Sequence, residues 1–221
     1  MIVISGAQIA DTPLAWPVDS STVLAEGGVG RFVQDRVRTP DGEVMTREYV
    51  RHPGAVGVIA LDDHERVALV RQYRHPVRHR LVEPPAGLLD VEGEDYLVAA
   101  QRELAEEVGL AATTWHVLVD LFTTPGMIGE TLRIYLARGL SPADAPDGYL
   151  KAGEEAHMDI VWATLDDLVT AVLEGRVHNP TLVSGALAAW AARERDSYAG
   201  LRPADADWPA RGALADVAPL A

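Results

Sequence analysis

Carboxylate side chains are concentrated in one segment of the sequence, GLLDVEGEDYLVAAQRELAEEVGL (residues 87–110). Helical spacing over residues 95–108 places the apolar side chains on one stripe: Leu97, Ala100, Leu104 and Val108. Glu103, Glu106 and Glu107 fall within a sector of about 100° that faces away from this stripe. Like charges at this spacing repel each other and weaken an isolated helix. Carboxylate oxygens spaced one helical turn apart suit a hard divalent cation. Charge alone is also compatible with an acidic helix face that is exposed to solvent.

The order of residues in this segment favours the metal-binding interpretation. Gly87 is followed by Glu94 and, after seven intervening residues, by RELAEEVGL (102–110). The pattern resembles the Nudix box, in which a glycine, five residues, a glutamate and seven residues precede R-E-U-x-E-E-x-G-U, with U aliphatic. Here six residues separate Gly87 from Glu94. The sequence therefore leaves open whether Glu92 or Glu94 is the first glutamate of the box.

The resemblance implies a metal site on a loop–helix–loop element. Nudix boxes use helix carboxylates to bind Mg²⁺, or alternatively Mn²⁺, at a diphosphate. By this resemblance Glu103 and Glu107 are expected as direct ligands, and Glu106 as a third ligand or an orienting group. The carbonyl of Ala86 is expected to complete the ligand set. Arg102 is expected to pair with a box glutamate and hold the ligands in place.

Residues outside the box resemble the ADP-ribose pyrophosphatase branch of the family: VRQYRHPV (70–77), EPPAGLLD (83–90), and Pro125 with Gly126. The resemblance implies hydrolysis of the pyrophosphate of ADP-ribose, or of other ADP-sugars, to AMP and ribose 5-phosphate. Arg71, Arg74 and Glu83 are expected to bind substrate, since guanidinium groups grip phosphate and ribose oxygens. The alternative for the arginines is a charged strand end that balances the acidic helix.

The expected reaction requires a base for the attacking water. Glu130, in the loop TTPGMIGE (123–130), corresponds to the base proposed for this branch, and Glu106 and Glu107 are the alternatives within the box. Glu154 and Glu155 match an acidic position that assists with metal. Three other functions stay open: a Nudix hydrolase for another nucleotide sugar, NADH or a dinucleoside polyphosphate; a non-catalytic Nudix ligand sensor; and an acidic protein with adventitious cation binding.

The composition limits the partners. The 221 residues include 33 acidic and 19 basic residues, for a net charge of −14, which argues against a nucleic-acid-coating protein. No cysteine is present, so neither disulfides nor thiolate metal sites are expected. The first residues lack a basic signal-peptide region, and no apolar run approaches the roughly 18 residues that span a bilayer. We expect a cytoplasmic protein whose partner is a nucleotide sugar, with neither nucleic acid nor membrane.

The predicted elements favour an α/β fold, here an α+β sandwich. Turns at residues 40–42 and 62–65 each join two predicted strands. Further strands are predicted at 115–124, 132–140 and 158–165, and helices at 95–108, 164–174 and 179–195. The segment EPPAG (83–87) is predicted to be a rigid loop. By the resemblance, this is the Nudix fold, in which a mixed β-sheet packs between helices and an antiparallel sheet precedes it.

Three regions are expected along the chain. Residues 1–50 form a β region, residues 51–197 the Nudix hydrolase domain, and residues 198–221 a C-terminal tail. The part of the tail from residue 203, rich in Pro, Ala and Asp, is expected to be loosely held. Related ADP-ribose hydrolases are homodimers whose N-terminal sheet packs against or swaps onto the partner. By this resemblance, a homodimer is expected.

Overall fold

Two β-sheets organise the chain in the computed structural model, which describes residues 3–144 and 157–215. The smaller sheet contains β1 (Val18–Glu26), β2 (Arg31–Arg38), β3 (Val44–Arg51) and β9 (Ile128–Gly129). β1, β2 and β3 are successive antiparallel neighbours, and β9 joins β3 in parallel. This confirms the expected N-terminal antiparallel sheet. Through β9, the smaller sheet is also joined to the loop that carries Glu130.

The larger sheet is mixed, as expected. It contains β4 (Ala55–Leu61), β5 (Arg66–Arg74), β6 (His79–Glu83), β7 (Ala86–Leu88), β8 (Leu110–Phe122), β10 (Thr131–Pro142), β11 (Asp159–Thr164) and β12 (Arg202–Pro203). The main strand order is β11-β5-β4-β10-β8-β12, with β6 paired to β5 and β7 to β4. β4 and β10 run parallel, whereas β4 and β5 form an antiparallel hairpin.

Helices cover both faces of the larger sheet. They are α1 (Tyr96–Val108), α2 (Leu165–Leu173) and α3 (Pro180–Asp196). The described residues also form α4 (Pro209–Ala215) and a short 3₁₀ helix at Gly6–Gln8. Val58 of β4 packs in the cluster that contains α1, and the next residue, Ile59, packs in the cluster that contains α2 and α3. Successive strand residues point to opposite faces, so the sheet lies between two cores. The expected sandwich is confirmed.

Local capping signals set the ends of the helices. Asp95 caps the start of α1, since its side chain accepts a hydrogen bond from the backbone N–H of Leu97. Gly109, with φ of 66°, caps the end of the helix. Asn179 accepts from the N–H of Leu182 in the same way at the start of α3. The three predicted helices are therefore present within one or two residues of their expected bounds. In the part of the chain that the structure describes, no helix has the length and apolar character needed to cross a membrane.

The segment EPPAG is more regular than predicted. Glu83 is the last residue of β6, and Ala86 begins β7, which pairs with β4. Only Pro84 and Pro85 lie between the strands, because proline has no N–H to donate to a strand ladder. The prediction of a loop over the whole of 83–87 is therefore wrong at both ends.

The first part of the supposed tail is packed against the domain. Tyr198 and Trp208 are each 7% exposed. The buried guanidinium of Arg133 donates hydrogen bonds to the carbonyls of Ala206, at 2.7 Å, and Asp207, at 3.0 Å. A buried cation requires oxygen partners, and this segment supplies two of them. For residues 203–208 the expectation of loose attachment is therefore wrong.

Candidate active site

Arg102 gathers a carboxylate that precedes α1 and two carboxylates within the helix. Its guanidinium donates two hydrogen bonds of 3.0 Å to Glu94, one of 2.6 Å to Glu103 and one of 3.1 Å to Glu106. The bonds to Glu94 are the main reason that the pKa of Arg102 is raised. Because Glu94 is the residue held by Arg102, it takes the place of the first box glutamate rather than Glu92.

The extra residue before Glu94 is absorbed by a turn. The N–H of Glu94 donates to the carbonyl of Val91 at 3.2 Å. Gly93 lies inside this turn with φ of 77°, a conformation that favours glycine. The turn takes up the additional length, so the pairing of Glu94 with Arg102 is preserved.

The strand before the helix closes directly on the other box carboxylates. Glu107 is 6% exposed, and its Oε2 accepts a hydrogen bond of 3.0 Å from the N–H of Ala86. A Cβ built on Gly87 would lie 2.0 Å from Cδ of Glu103, so only glycine leaves room for this carboxylate. The side chains of Glu103 and Glu107 therefore meet the backbone of Ala86 and Gly87 at one place.

The donor set at this place fits a hard divalent cation. Carboxylate oxygens of Glu103, Glu106 and Glu107, together with the carbonyl oxygen of Ala86, are the ligand type that Mg²⁺ prefers. Glu103 and Glu106 already converge on the same nitrogen of Arg102. Within residues 3–144 and 157–215, no three acidic or histidine side chains have a ready-made metal-binding arrangement. Glu154 and Glu155 lie outside the described residues.

Glu130 lies beside a histidine that the sequence did not single out. Its carboxylate accepts a hydrogen bond from the hydroxyl of Thr123 and lies 3.4 Å from Nδ1 of His52. The same Nδ1 accepts the N–H of Gly54 at 3.1 Å, which requires this nitrogen to be unprotonated. Burial lowers the pKa of His52, and the charge of Arg211 lowers it further, against the opposing effect of Glu130. His52 is therefore neutral near pH 7.

The structure brings Arg74 and Glu83 together but separates Arg71 from them. Glu83 is 2% exposed and receives hydrogen bonds of 3.0 Å and 2.6 Å from Nε and Nη2 of Arg74. Arg74 is on the same face of β5 as Val70, which packs in the α1 core. Arg71 is on the opposite face and pairs with Asp159 at 2.8 Å.

A cavity of about 870 Å³ lies between the two sheets and the C-terminal helix. Its walls come from the end of β3, from residues 88–92, from residues 125–129 and from α4. Leu88, in its wall, directly follows Gly87, so the cavity begins one residue away from the place where Glu103 and Glu107 meet β7. Pro125 and Gly126, which are part of the resemblance to the ADP-ribose pyrophosphatase branch, are in the wall of this cavity.

Two polar residues of this region escaped the sequence analysis. His52 has no distinguishing spacing, and its environment depends on the pairing of distant strands. Arg211 lies in a segment whose composition is typical of a tail. No local pattern could have identified either residue.

Comparisons with known proteins identify relatives of this chain. A family model described as NUDIX domain matches residues 51–183. The chain is 44% identical over 189 residues to a protein of Mycobacterium tuberculosis named ADP-ribose pyrophosphatase, covering 86% of this chain and 89% of that protein. It is 38% identical to a methanol dehydrogenase activator of Bacillus methanolicus, covering 72% and 84%. A crystal structure of an ADP compounds hydrolase has the same fold, with a TM-score of 0.64, 20% identity and coverage of 85% and 100%.

Proposed function

Because this chain belongs to the Nudix family, we propose that it hydrolyses the pyrophosphate of ADP-ribose, or of related ADP-sugars, to AMP and ribose 5-phosphate. The observation that carries the proposal is the meeting of Glu103 and Glu107 with the backbone of Ala86 and Gly87, next to a cavity of about 870 Å³. A cavity of this size accommodates a nucleotide sugar. The Mycobacterium relative, aligned along most of both chains, is named for this activity.

The box residues are the proposed metal ligands. Nudix hydrolases generally use divalent metals. We assign Mg²⁺, or alternatively Mn²⁺, to Glu103, Glu107 and the carbonyl of Ala86, with Glu106 as a third carboxylate. When bound, such a cation neutralises pyrophosphate charge and lowers the pKa of a coordinated water. Arg102 keeps Glu103 and Glu106 oriented, since its guanidinium contacts both.

The remaining steps depend on the side chains of the chain itself. A carboxylate, that of Glu130 or of Glu106 or Glu107, takes the proton of the attacking water. The water oxygen bonds to one phosphorus while the bridging P–O bond breaks, and the other phosphate leaves. Glu130 is oriented for such a role by the hydroxyl of Thr123. Neutral His52, 3.4 Å away, adds no positive charge that would weaken it as a base.

The structure supports Arg74 as a substrate-binding residue more strongly than Arg71. Arg74 lies on the α1 face of β5, and its guanidinium is oriented by the buried carboxylate of Glu83. This favours Arg74 as a phosphate- or ribose-binding residue, with Glu83 acting through it. Arg71, paired with Asp159 on the other face, lacks this support.

We propose that residues 1–50 form a homodimer interface and that residues 51–197 form the hydrolase domain, in a cytoplasmic protein with neither nucleic acid nor membrane as partner. All nine residues of β1 are exposed, including Val18, Val23 and Leu24. An edge strand with apolar side chains in solvent is a surface that association covers.

The test of the proposed activity is AMP release from ADP-ribose with Mg²⁺, with Mn²⁺ and with a chelator. Turnover that requires the cation is expected. NADH, a dinucleoside polyphosphate and a second nucleotide sugar form the comparison panel. Turnover of one of these with none of ADP-ribose would overturn the substrate assignment. Intact ADP-ribose recovered from a stable complex in Mg²⁺ would instead indicate a ligand sensor.

A further inference from the structure

We propose that Arg211, on α4, is a further substrate-binding residue that contacts a phosphate oxygen of the nucleoside diphosphate in the cavity. This inference rests on the proposed function, since it requires a substrate with a diphosphate. It assigns a binding role to the C-terminal segment, which lies beyond the residues matched by the family model.

The position of Arg211 supports this role. Arg211 is in the wall of the 870 Å³ cavity, and its Nη1 lies 3.4 Å from the hydroxyl of Thr131. The same nitrogen would lie 2.5 Å from a Cβ on Gly54, so the guanidinium rests directly on the Gly54 backbone. The carbonyl of Gly54 accepts the N–H of Leu89 at 3.0 Å. Leu89 also lines the cavity and lies two residues after Gly87, so the guanidinium lies in the same cavity wall as the residues that follow β7.

Among residues 3–144 and 157–215, the charge of Arg211 is not matched by a nearby carboxylate. Within the part of the chain that the structure describes, Arg211 forms no ion pair, and its hydrogen bond to Thr131 is long at 3.4 Å. The imidazole of His52, whose Nδ1 accepts the N–H of Gly54, is neutral and adds no repulsive positive charge in this region. A partly buried guanidinium without a carboxylate is a site for an anion, and phosphate oxygens match its fork of donors.

The segment that carries Arg211 is anchored. The guanidinium of Arg133 lies 4.7 Å from the ring centre of Trp208. Trp208 also packs edge-to-face on Tyr96, the first residue of α1, with ring centres 5.1 Å apart. The N–H of Arg211 donates to the carbonyl of Trp208 at 3.0 Å. These contacts hold the start of α4 at the cavity, so the binding role needs no rearrangement of the chain.

The deciding experiment compares Arg211→Met with Arg176→Met, a matched loss of one arginine at an exposed surface position. Arg211→Met is expected to raise the KM for ADP-ribose about 10- to 100-fold, the range for loss of a hydrogen bond to a charged group, with a smaller change in kcat. Arg211→Lys is expected to be intermediate. Arg176→Met is expected to match the unsubstituted protein. Thermal unfolding of each variant shows whether it is folded.

Calorimetric titration separates this inference from the proposed activity. Arg211→Met is expected to weaken the binding of AMP about as much as it raises KM, and to leave the binding of adenosine, which has no phosphate, unchanged. If ADP-ribose is not hydrolysed, the activity is refuted, while the AMP titration still decides the role of Arg211. Equal AMP affinity in Arg211→Met and the unsubstituted protein, or no phosphate-dependent binding at all, would overturn the inference.

Discussion

The carboxylates of the Nudix box, in α1 and just before it, are held by two different means. Glu94, Glu103 and Glu106 share the guanidinium of Arg102, whereas Glu107 is 6% exposed and bonded to the backbone N–H of Ala86. A carboxylate that is buried and bonded to a rigid backbone has its direction set before any ligand binds. Glu107 is therefore the residue whose charge can be removed with the least change in geometry.

Glu107→Gln is expected to lower kcat at least ~100-fold, because the amide keeps the shape of the side chain but is a poorer cation ligand. Its oxygen can still accept the N–H of Ala86, so the unfolding midpoint should change little. Glu174→Gln, at an exposed position, is the matched control. Steady-state kinetics in saturating Mg²⁺ measures the effect. Activity in Glu107→Gln close to that of the control would contradict the assigned role.

The environment of His52 predicts a dependence of stability on pH. Burial lowers its pKa in the folded protein, so the unfolded chain binds the proton more readily. Stability from neutral His52 is therefore present above the unfolded pKa of about 6.5 and decreases as pH falls through and below it. Between about pH 7.5 and pH 5.5, the His52→Asn variant should therefore lose less unfolding free energy than the unsubstituted protein does.

Urea unfolding at the two pH values measures this difference, with His64→Asn, a change at an exposed histidine, as the control. In His52→Asn, the amide oxygen of the substituted side chain is of the right type to accept the N–H of Gly54. A pH dependence that is the same in His52→Asn and in the unsubstituted protein would show that His52 does not contribute to it.

At the scale of elements, the site is formed where β7 packs on α1. β7 pairs with β4, so its backbone cannot move away from the helix without breaking the sheet. This is why Gly87 is needed: the side chain of Glu103 occupies the space that any Cβ would take. The position of the glycine follows from the packing of two elements, not from a turn.

Gly87→Ala is therefore expected to displace the end of the Glu103 side chain and to lower kcat by about 10-fold or more. Because this end is flexible and can shift, the loss of stability should lie below the roughly 1–3 kcal/mol of overpacking in a core. Gly27→Ala, where the new Cβ would meet only an ordinary contact of 3.5 Å, is the control. Activity assays and urea unfolding measure the two effects. Full activity in Gly87→Ala would mean that Glu103 can act from another position.

Arg133 links β10 to the C-terminal segment. It pairs with Asp120 at 2.8 Å and donates to two carbonyls of residues 206 and 207. Arg133→Met is expected to lower the free energy of unfolding by about 3 kcal/mol, which is near the lower end of the values for breaking a buried ion pair. The loss stays near this end because Asp120 keeps its second partner, Arg202. Limited proteolysis should cut the variant within residues 198–215 faster than Arg176→Met. Equal cleavage rates would show that the segment is held by other contacts.

At the scale of the whole molecule, the exposed face of β1 predicts association. Light scattering is expected to give the mass of a dimer. The double substitution Val23→Asp with Leu24→Asp should shift the protein towards monomer, because each residue is now about half exposed and apolar. Thr22→Asp, which adds a charge to the same strand without removing an apolar side chain, is the control. A monomeric unsubstituted protein would refute the dimer and leave the chemistry untouched.

Local features of the site could be read from the sequence. The bounds of α1 follow from the Asp95 cap, the apolar stripe and Gly109, all of which act within a few residues of chain. The spacing of Glu103, Glu106 and Glu107 follows from the helical repeat. The β-hairpins follow from their turns. These features need no knowledge of the rest of the fold, since each depends on neighbours along the chain.

Only the tertiary structure decided which distant groups meet. Strand alternation places Arg71 and Arg74 on opposite faces of β5, but only the packing of α1 against one face decides which arginine lies on the side of the site. The choice of Glu94 depends on where the guanidinium of Arg102 lies across the loop. Arg211 reaches Gly54 because Arg133, a buried cation on β10, holds residues 206–208 just before α4. Contacts between residues far apart in sequence depend on sheet register and on the burial of specific groups, which periodicity and composition do not encode.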